Sequence, residues 1–332
     1  MLKKKKKYNI AIVGATGLVG RTFIQILEEY QFPIGELRLL ASKNSEGKKI
    51  TAFEQEFVVQ TLNEHSFKDM DLALFSAGGS VSLTYAPFAV KSGALVIDNS
   101  SAWRMVKDVP LIVPEVNPND LKFEGIIANP NCSTIQVVLP LKALDLAYGI
   151  DEVNYTTYQA VSGSGQKGKD DLILTLDGKD PEFYPYSISK TCIPQIDVFL
   201  ENDYTKEEMK MVEETRKILH HDKLLVSATC IRVPVANSHG VNVVLKLQKE
   251  FEIKDIRNVL SQFPGIIVLD DPKNSVYPVS TVANGNDFVY VGRIRRDLID
   301  PQKIIFYCVS DNIRKGAASN AVSIAKLAIE RI

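Results

Sequence analysis

The chain has 332 residues, 45% of them apolar and 24% charged, with a net charge of −1. This length suffices for two domains with a sizeable core, and the near-neutral balance disfavours nucleic acid or an anionic membrane as the main partner. Small metabolites remain as the default ligands.

The basic run Lys3 to Lys7 reads as a solvated extension, because no aromatic or amphipathic pattern accompanies it. The apolar run after it is broken by Gly14, Gly17 and Gly20, with no cleavage-site pattern behind. No apolar stretch is long enough to span a bilayer, so a cytoplasmic protein is expected.

Tyr8 to Val13 predicts a strand, followed by glycines and then by Val19, Phe23, Ile26, Leu27 and Tyr30 at helical spacing. The loop Gly14-Ala15-Thr16-Gly17-Leu18-Val19-Gly20 is a G-x-x-G-x-x-G relative of the dinucleotide fingerprint. Its glycines let the backbone turn tightly against a pyrophosphate, which the helix N-terminus then stabilises. The second strand, Leu37 to Ala41, ends in Ser42-Lys43-Asn44-Ser45 with no acid before Glu46. An acidic residue there would favour NAD; hydroxyls and a lysine suit a 2′-phosphate, so NADP is the expected cofactor.

Strands are predicted at Leu72 to Phe75, Leu95 to Asp98 and Gly125 to Ala128, with a helix between Ser80 and Ser92 that carries Pro87. This alternation implies a Rossmann-type, doubly wound parallel sheet. Asn129-Pro130-Asn131-Cys132-Ser133-Thr134 then joins the last such strand to an apolar helix reaching Tyr148. With Asn131 or Ser133 as its cap, that helix holds Cys132 at its positive end, where thiolate is favoured over thiol.

Longer β-rich runs follow at Val153 to Ala160, Leu225 to Val233, Val241 to Leu247, Phe288 to Arg295 and Ile304 to Ser310, with helices near Lys206 to His220 and Ile253 to Gln262. They predict an α+β catalytic and dimerisation domain with a mostly antiparallel sheet. A last helical pattern, Ala317 to Ile332, is expected to return to the first domain. The expected division is 1–131 plus 313–332 for NADP binding and 132–312 for catalysis.

The four cysteines form no C-x-x-C pair, so neither a disulfide framework nor a metal site is expected; Cys230 and Cys308 read as small buried hydrophobes. A cysteine nucleophile needs a base. Among four histidines, His220 and His221 end a helix, where they are expected to meet its last carbonyls. His65 has no context. His239, in a turn after Cys230-Ile231-Arg232-Val233-Pro234, is the best candidate.

These residues together resemble the bacterial type of aspartate-β-semialdehyde dehydrogenase, nearly end to end. The resemblance is carried by Gly14 to Gly20, Phe75 to Ser80, Val96 to Arg104, Val113 to Asn117, Asn129 to Thr134, Tyr158 to Gly163, Pro194 to Asp197, Glu207 to Met211, Cys230 to His239, Gly292 to Arg295, and Asp311-Asn312 with Gly316 to Ala318. It implies NADPH-dependent reduction of L-aspartyl-4-phosphate to aspartate semialdehyde and phosphate, on the way to lysine, methionine and threonine. By the same resemblance Cys132 is the acylated nucleophile, with Asn131 beside it, and His239 is the acid/base. Gln159 orients the intermediate, Arg232 and Glu207 hold the substrate's carboxylate and amino group, and Arg104 and Lys210 receive the phosphate. Thr16 to Val19, Asn44, Ser45, Ser162, Gly163 and Asn312 match cofactor positions, although Asn44 stands where many relatives carry an arginine.

A homodimer or dimer of dimers is implied, because the family pairs its second domains. Two other readings compete with this one. An N-acetylglutamyl-phosphate reductase runs the same chemistry, but acetylation would remove the ammonium that Glu207 is expected to pair with. A non-catalytic NADP-binding protein would have no use for Cys132, Gln159, Arg232 and His239 together.

Overall fold

The computed structural model describes residues 1–332, which divide into two compact units: Met1–Pro130 with Ala317–Ile332, and Asn131–Gly316. The sequence reading put Asn131 and 313–316 with the first domain. The structure groups them with the second, where Asn131 is anchored by a helix of that unit.

In the first unit β1 (Tyr8–Val13), α1 (Leu18–Glu29) and β2 (Ile34–Ala41) form the opening βαβ. A hairpin, β3 (Lys49–Ala52) and β4 (Gln55–Val58), and the short β5 (Gln60–Thr61) follow. Then come β6 (Leu72–Phe75), α2 (Gly79–Lys91), β7 (Leu95–Asp98) and β8 (Ile126–Ala128). The sheet order is β5-β2-β1-β6-β7-β8, with every pair parallel. β6 and β7 are buried at every position, as expected of strands covered on both faces. The strand order reverses between β1 and β6, the kind of switch point at which such sheets bind ligands.

The second unit begins with α3 (Cys132–Tyr148), β9 (Ile150–Gln159), α4 (Gln166–Leu176), α5 (Lys206–Leu219), β10 (Leu225–Arg232) and β11 (His239–Leu247). It continues through α6 (Ile253–Gln262), β12 (Ile266–Val268), the short α7 (Ser280–Ala283), β13 (Val289–Arg296) and β14 (Lys303–Ser310). Its sheet order is β10-β9-β11-β14-β13-β12. The three inner pairs are antiparallel and the two outer pairs parallel. α3 is apolar nearly all round and buried through most of its length, which is why its sequence shows no amphipathic stripe. A five-residue π-helical turn, Arg314–Ala318, then leads into α8 (Ser319–Glu330), whose Ala321, Val322, Ile324, Ala325 and Ala328 join the first unit's core. No helix is long and apolar enough to cross a membrane.

Candidate active site

Cys132 is the first residue of α3, half-buried, and Asn131 is the cap. The Asn131 Oδ1 accepts the N–H groups of Ser133 (2.9 Å) and Thr134 (3.4 Å). Asn131 is itself gripped by α5: its N–H donates to Glu214 Oε2 at 2.6 Å and its Nδ2 to Glu207 Oε1 at 2.8 Å. Two carboxylates of one helix thus fix the turn that aims the thiol, while the remaining N–H groups of α3 favour its anion. Behind Cys132 the chain returns at Gly316, where a Cβ would lie 3.0 Å from the Cys132 Cβ. Cys230 and Cys308 are fully buried, and burial pushes both thiols up, which makes them inert.

His239 opens β11 rather than lying in the turn before it, and it is fully buried. Its Nδ1 accepts the Ala160 N–H at 3.0 Å, and its Nε2 has no protein partner. Burial, then the neighbouring Arg232 cation, hold its pKa well below 6.5. Ser238 just before it adopts φ +73°, a left-handed conformation that costs a residue with a Cβ. The Ser238 N–H donates to Asn312 Oδ1 (2.9 Å), and Asn312 Nδ2 donates to Ser162 Oγ (3.0 Å). Ser162 and Asn312, expected at the cofactor, therefore brace the histidine turn. Arg232 ends β10, buried; its Nη1 donates to the Ala160 carbonyl (2.7 Å), and its Nε has no protein acceptor. Gly163 crosses in front of both side chains: a Cβ there would lie 2.9 Å from Arg232 Nη1 and 3.2 Å from His239 Nε2.

α5 begins with a capping box, the Thr205 Oγ1 accepting from the Glu208 N–H (3.3 Å) and Glu208 Oε2 from the Thr205 N–H (2.7 Å). Glu208 Oε1 also accepts the Cys230 N–H (3.0 Å), which ties the helix start to β10. Glu207 and Lys210 are no solvated helix-face pair: Glu207 is buried, and its Oε2 accepts from Lys210 Nζ at 3.0 Å. Lys210 also meets Asp197 Oδ2 at 3.0 Å. Burial alone would raise the pKa of Glu207, but Lys210, the Asn131 amide and Arg232 outweigh it and keep the carboxylate charged. Burial likewise opposes the Lys210 charge, and Glu207 and Asp197 overcome it. Gln159 Nε2 donates to Glu207 Oε1 (3.4 Å), so Asn131, Gln159 and Lys210 converge on one carboxylate.

The glycine loop lies in the first unit. Gly14 has φ +86°, and a Cβ on it would meet the Ser76 carbonyl at 2.3 Å; one on Gly20 would meet the Gly14 carbonyl at 2.1 Å. Only glycines let α1 start this close to β1. The α1 cap, Gly17, has no side-chain cap bond, so the N–H groups of Leu18, Val19 and Gly20 face no competing side-chain acceptor. Thr16 Oγ1 approaches Ser45 Oγ (3.4 Å), and Ser42, Lys43 and Asn44 beside it are exposed. Hydroxyls, an amide, a lysine and uncapped N–H groups fit a phosphorylated dinucleotide. Arg104 is also in this unit and is buried rather than a surface arginine, its Nε and Nη2 donating to the carbonyls of Asn129 (2.9 Å) and Asn99 (3.0 Å).

Sequence reasoning missed Glu214, Ser238 and Gly316. Glu214 lies seven residues after Glu207, on the same face of a helix, and that spacing was its one signal. Ser238 and Gly316 act through backbone conformation and packing, which leave no side-chain signature. His220 and His221 follow directly on α5, and their backbone N–H groups bond the Lys217 (3.4 Å) and Arg216 (3.0 Å) carbonyls.

Two family models match the chain: the semialdehyde dehydrogenase NAD binding domain over residues 9–123 and the semialdehyde dehydrogenase dimerisation domain over residues 141–315. An aspartate-semialdehyde dehydrogenase of Aquifex aeolicus is 52% identical over 97% of this chain and 98% of its own. The chain belongs to the aspartate-semialdehyde dehydrogenase family. Within that family, aspartate semialdehyde dehydrogenase II of Vibrio cholerae, solved in complex with ASA, superposes with a TM-score of 0.94 at 43% identity, covering 98% of this chain and 99% of that one. The Candida albicans aspartate semialdehyde dehydrogenase, solved with NADP, gives 0.77 at 27% identity, covering 98% and 100%. The resemblance carried by the sequence motifs is thus borne out.

Proposed function

We propose that the chain reduces L-aspartyl-4-phosphate to L-aspartate-4-semialdehyde and phosphate with NADPH, through a thioester on Cys132, in the biosynthesis of lysine, methionine and threonine. The observation that carries this reading is the convergence of Asn131, Gln159 and Lys210 on buried Glu207, next to a cysteine at a helix N-terminus.

Each side chain then has a task. The Cys132 thiolate attacks the acyl carbon, and the carbon–oxygen bond to phosphate breaks. Arg232 grips the substrate carboxylate with the N–H groups its protein partners leave over, and Glu207 faces the ammonium. Gln159 orients the acyl group, and His239 serves the reacting oxygen. The phosphate-directed roles of Arg104 and Lys210 rest on the motif match. Gly14 to Gly20, with Ser42, Asn44 and Ser45, and Ser162, Gly163 and Asn312, are the residues assigned to NADP, which supplies the hydride when bound.

The first unit, 1–130 with 317–332, supplies the glycine loop for the cofactor, and the second, 131–316, serves catalysis and pairing. We further propose a cytoplasmic homodimer or dimer of dimers that engages neither nucleic acid nor membrane, in keeping with a net charge of −1. The substrate is tested by kcat/KM for aspartate semialdehyde against N-acetylglutamate semialdehyde in the oxidative direction. Aspartate semialdehyde is expected to be preferred, and a preference for the acetylated compound overturns the assignment. NADP should likewise give a higher kcat/KM than NAD.

A further inference from the structure

We infer that Asp197 is a positioning residue for Lys210: with Glu207 it holds two of the three ammonium N–H groups and so aims the third at phosphate. The part that concerns phosphate rests on the function proposed above; the clamp on Lys210 does not.

No catalytic task falls on Pro194-Gln195-Ile196-Asp197. The chain here forms a strap between the elements that carry Arg232 and Lys210. At its start Ile193 pairs with the end of β10, its N–H donating to the Arg232 carbonyl (2.9 Å) and its carbonyl accepting the Arg232 N–H (2.8 Å). At its far end the Val198 carbonyl accepts the N–H of Lys206 (2.9 Å), the first residue of α5, and Phe199 bridges to Thr205, the cap of that helix. Ile193 and Ile196 are buried and pin the strap, whereas the Asp197 side chain is 33% exposed.

The backbone of Asp197 is left-handed, with φ +69°. A residue with a Cβ adopts that conformation at a cost which its surroundings must offset, and such positions cluster where geometry serves function. Here the turn directs the carboxylate at α5. Its Oδ1 accepts the Val198 N–H (2.9 Å), which fixes the side-chain torsion, and its Oδ2 accepts from Lys210 Nζ (3.0 Å).

Lys210 Nζ therefore lies between two carboxylates of unlike exposure, buried Glu207 at 3.0 Å and rim-lying Asp197 at 3.0 Å. An ammonium has three donors at tetrahedral angles, so two fixed acceptors determine the direction of the third N–H. With Glu207 alone, the group at the end of its flexible stem would swing about a single bond. The charges argue the same way. Glu207 also faces the substrate's ammonium, so Lys210 and the substrate would compete for one carboxylate. Asp197 supplies a second, and two cations then meet two anions. Lys206, the other cation near Asp197, attracts its carboxylate without a hydrogen bond and leaves Oδ2 to Lys210.

Asp197→Asn and Asp197→Gly test this together, because both residues tolerate the left-handed turn and neither carries the charge. In the oxidative direction the KM for phosphate should rise at least about fivefold in both, the upper end for a partly exposed ion pair, with the KM for NADP within about twofold of wild type. In a Lys210→Gln background, Asp197→Asn should add less than about twofold. A wild-type KM for phosphate in either variant, a rise shared equally by NADP, or a full effect in the Lys210→Gln background overturns the inference. A second readout needs no turnover. The rate at which acetic anhydride labels Lys210 at mildly alkaline pH, read by mass spectrometry, should increase in Asp197→Asn, since the ammonium loses an anion that stabilises it. An unchanged rate overturns the clamp. Faster labelling in a chain that shows no phosphate-dependent turnover of aspartate semialdehyde would defeat the proposed function and leave the clamp standing.

Discussion

At the scale of single residues, Arg232 and His239 respond to different changes. Arg232→Lys keeps the charge but loses the planar fork, and a hydrogen bond to a charged group is worth about 1.5–3 kcal/mol. A drop of at least ~10-fold in kcat/KM, carried mainly by KM, is expected from steady-state kinetics. His239 affects stability as well as chemistry. The folded chain holds the ring neutral, while the unfolded chain lets it protonate near 6.5, so acid favours the unfolded state. Its contribution is complete above pH 6.5 and is lost as the pH falls below it. The urea midpoint of the wild type should drop across that window, and that of His239→Gln should drop less. Cys132 and His239 stood out in the sequence by residue type and context, whereas Gln159 and Arg232 were marked only by the family resemblance. Glu214 and Ser238 were marked by neither, since a carboxylate on a backbone N–H and a left-handed serine look like ordinary polar residues until the chain folds.

At the scale of elements, the turn before α3 is the joint on which the site depends. Asn131→Ala removes the cap bonds to Ser133 and Thr134 and the donor to Glu207. Loss of a cap alone costs about 1 kcal/mol, and Glu207 loses one of its three side-chain donors. Chemical denaturation should show a loss of at least that size, together with slower alkylation of Cys132. Gly316→Ala would press a methyl group to 3.0 Å from the Cys132 Cβ, tighter than ordinary packing, and should lower kcat more than it alters KM. The long strands were legible as β-rich apolar runs, α1 from the helical spacing of its apolar residues and α3 from its continuous apolar stretch. The β3–β4 hairpin was missed because its two turn residues, Phe53 and Glu54, both have positive φ without the Asn-Gly or Asp-Gly signal that marks such turns. α4 was missed because its buried face is made largely of Gly168, Asp171 and Thr175, which give no apolar stripe.

For the whole molecule, strand–helix alternation announced the parallel sheet, whereas the order of the second sheet and its parallel outer pairs lie in contacts too distant along the chain for any local pattern. Pairing of second units predicts a solution mass by light scattering of at least twice that of one chain, and a monomer would contradict it. The central claim is covalent catalysis by Cys132 on an acyl phosphate. Its most direct test follows NADPH formation from aspartate semialdehyde and NADP with and without phosphate, in wild type and in Cys132→Ser. NADP reduction should require both aspartate semialdehyde and phosphate and be abolished by the substitution; full activity in Cys132→Ser, or a rate indifferent to phosphate, would rule out the covalent route.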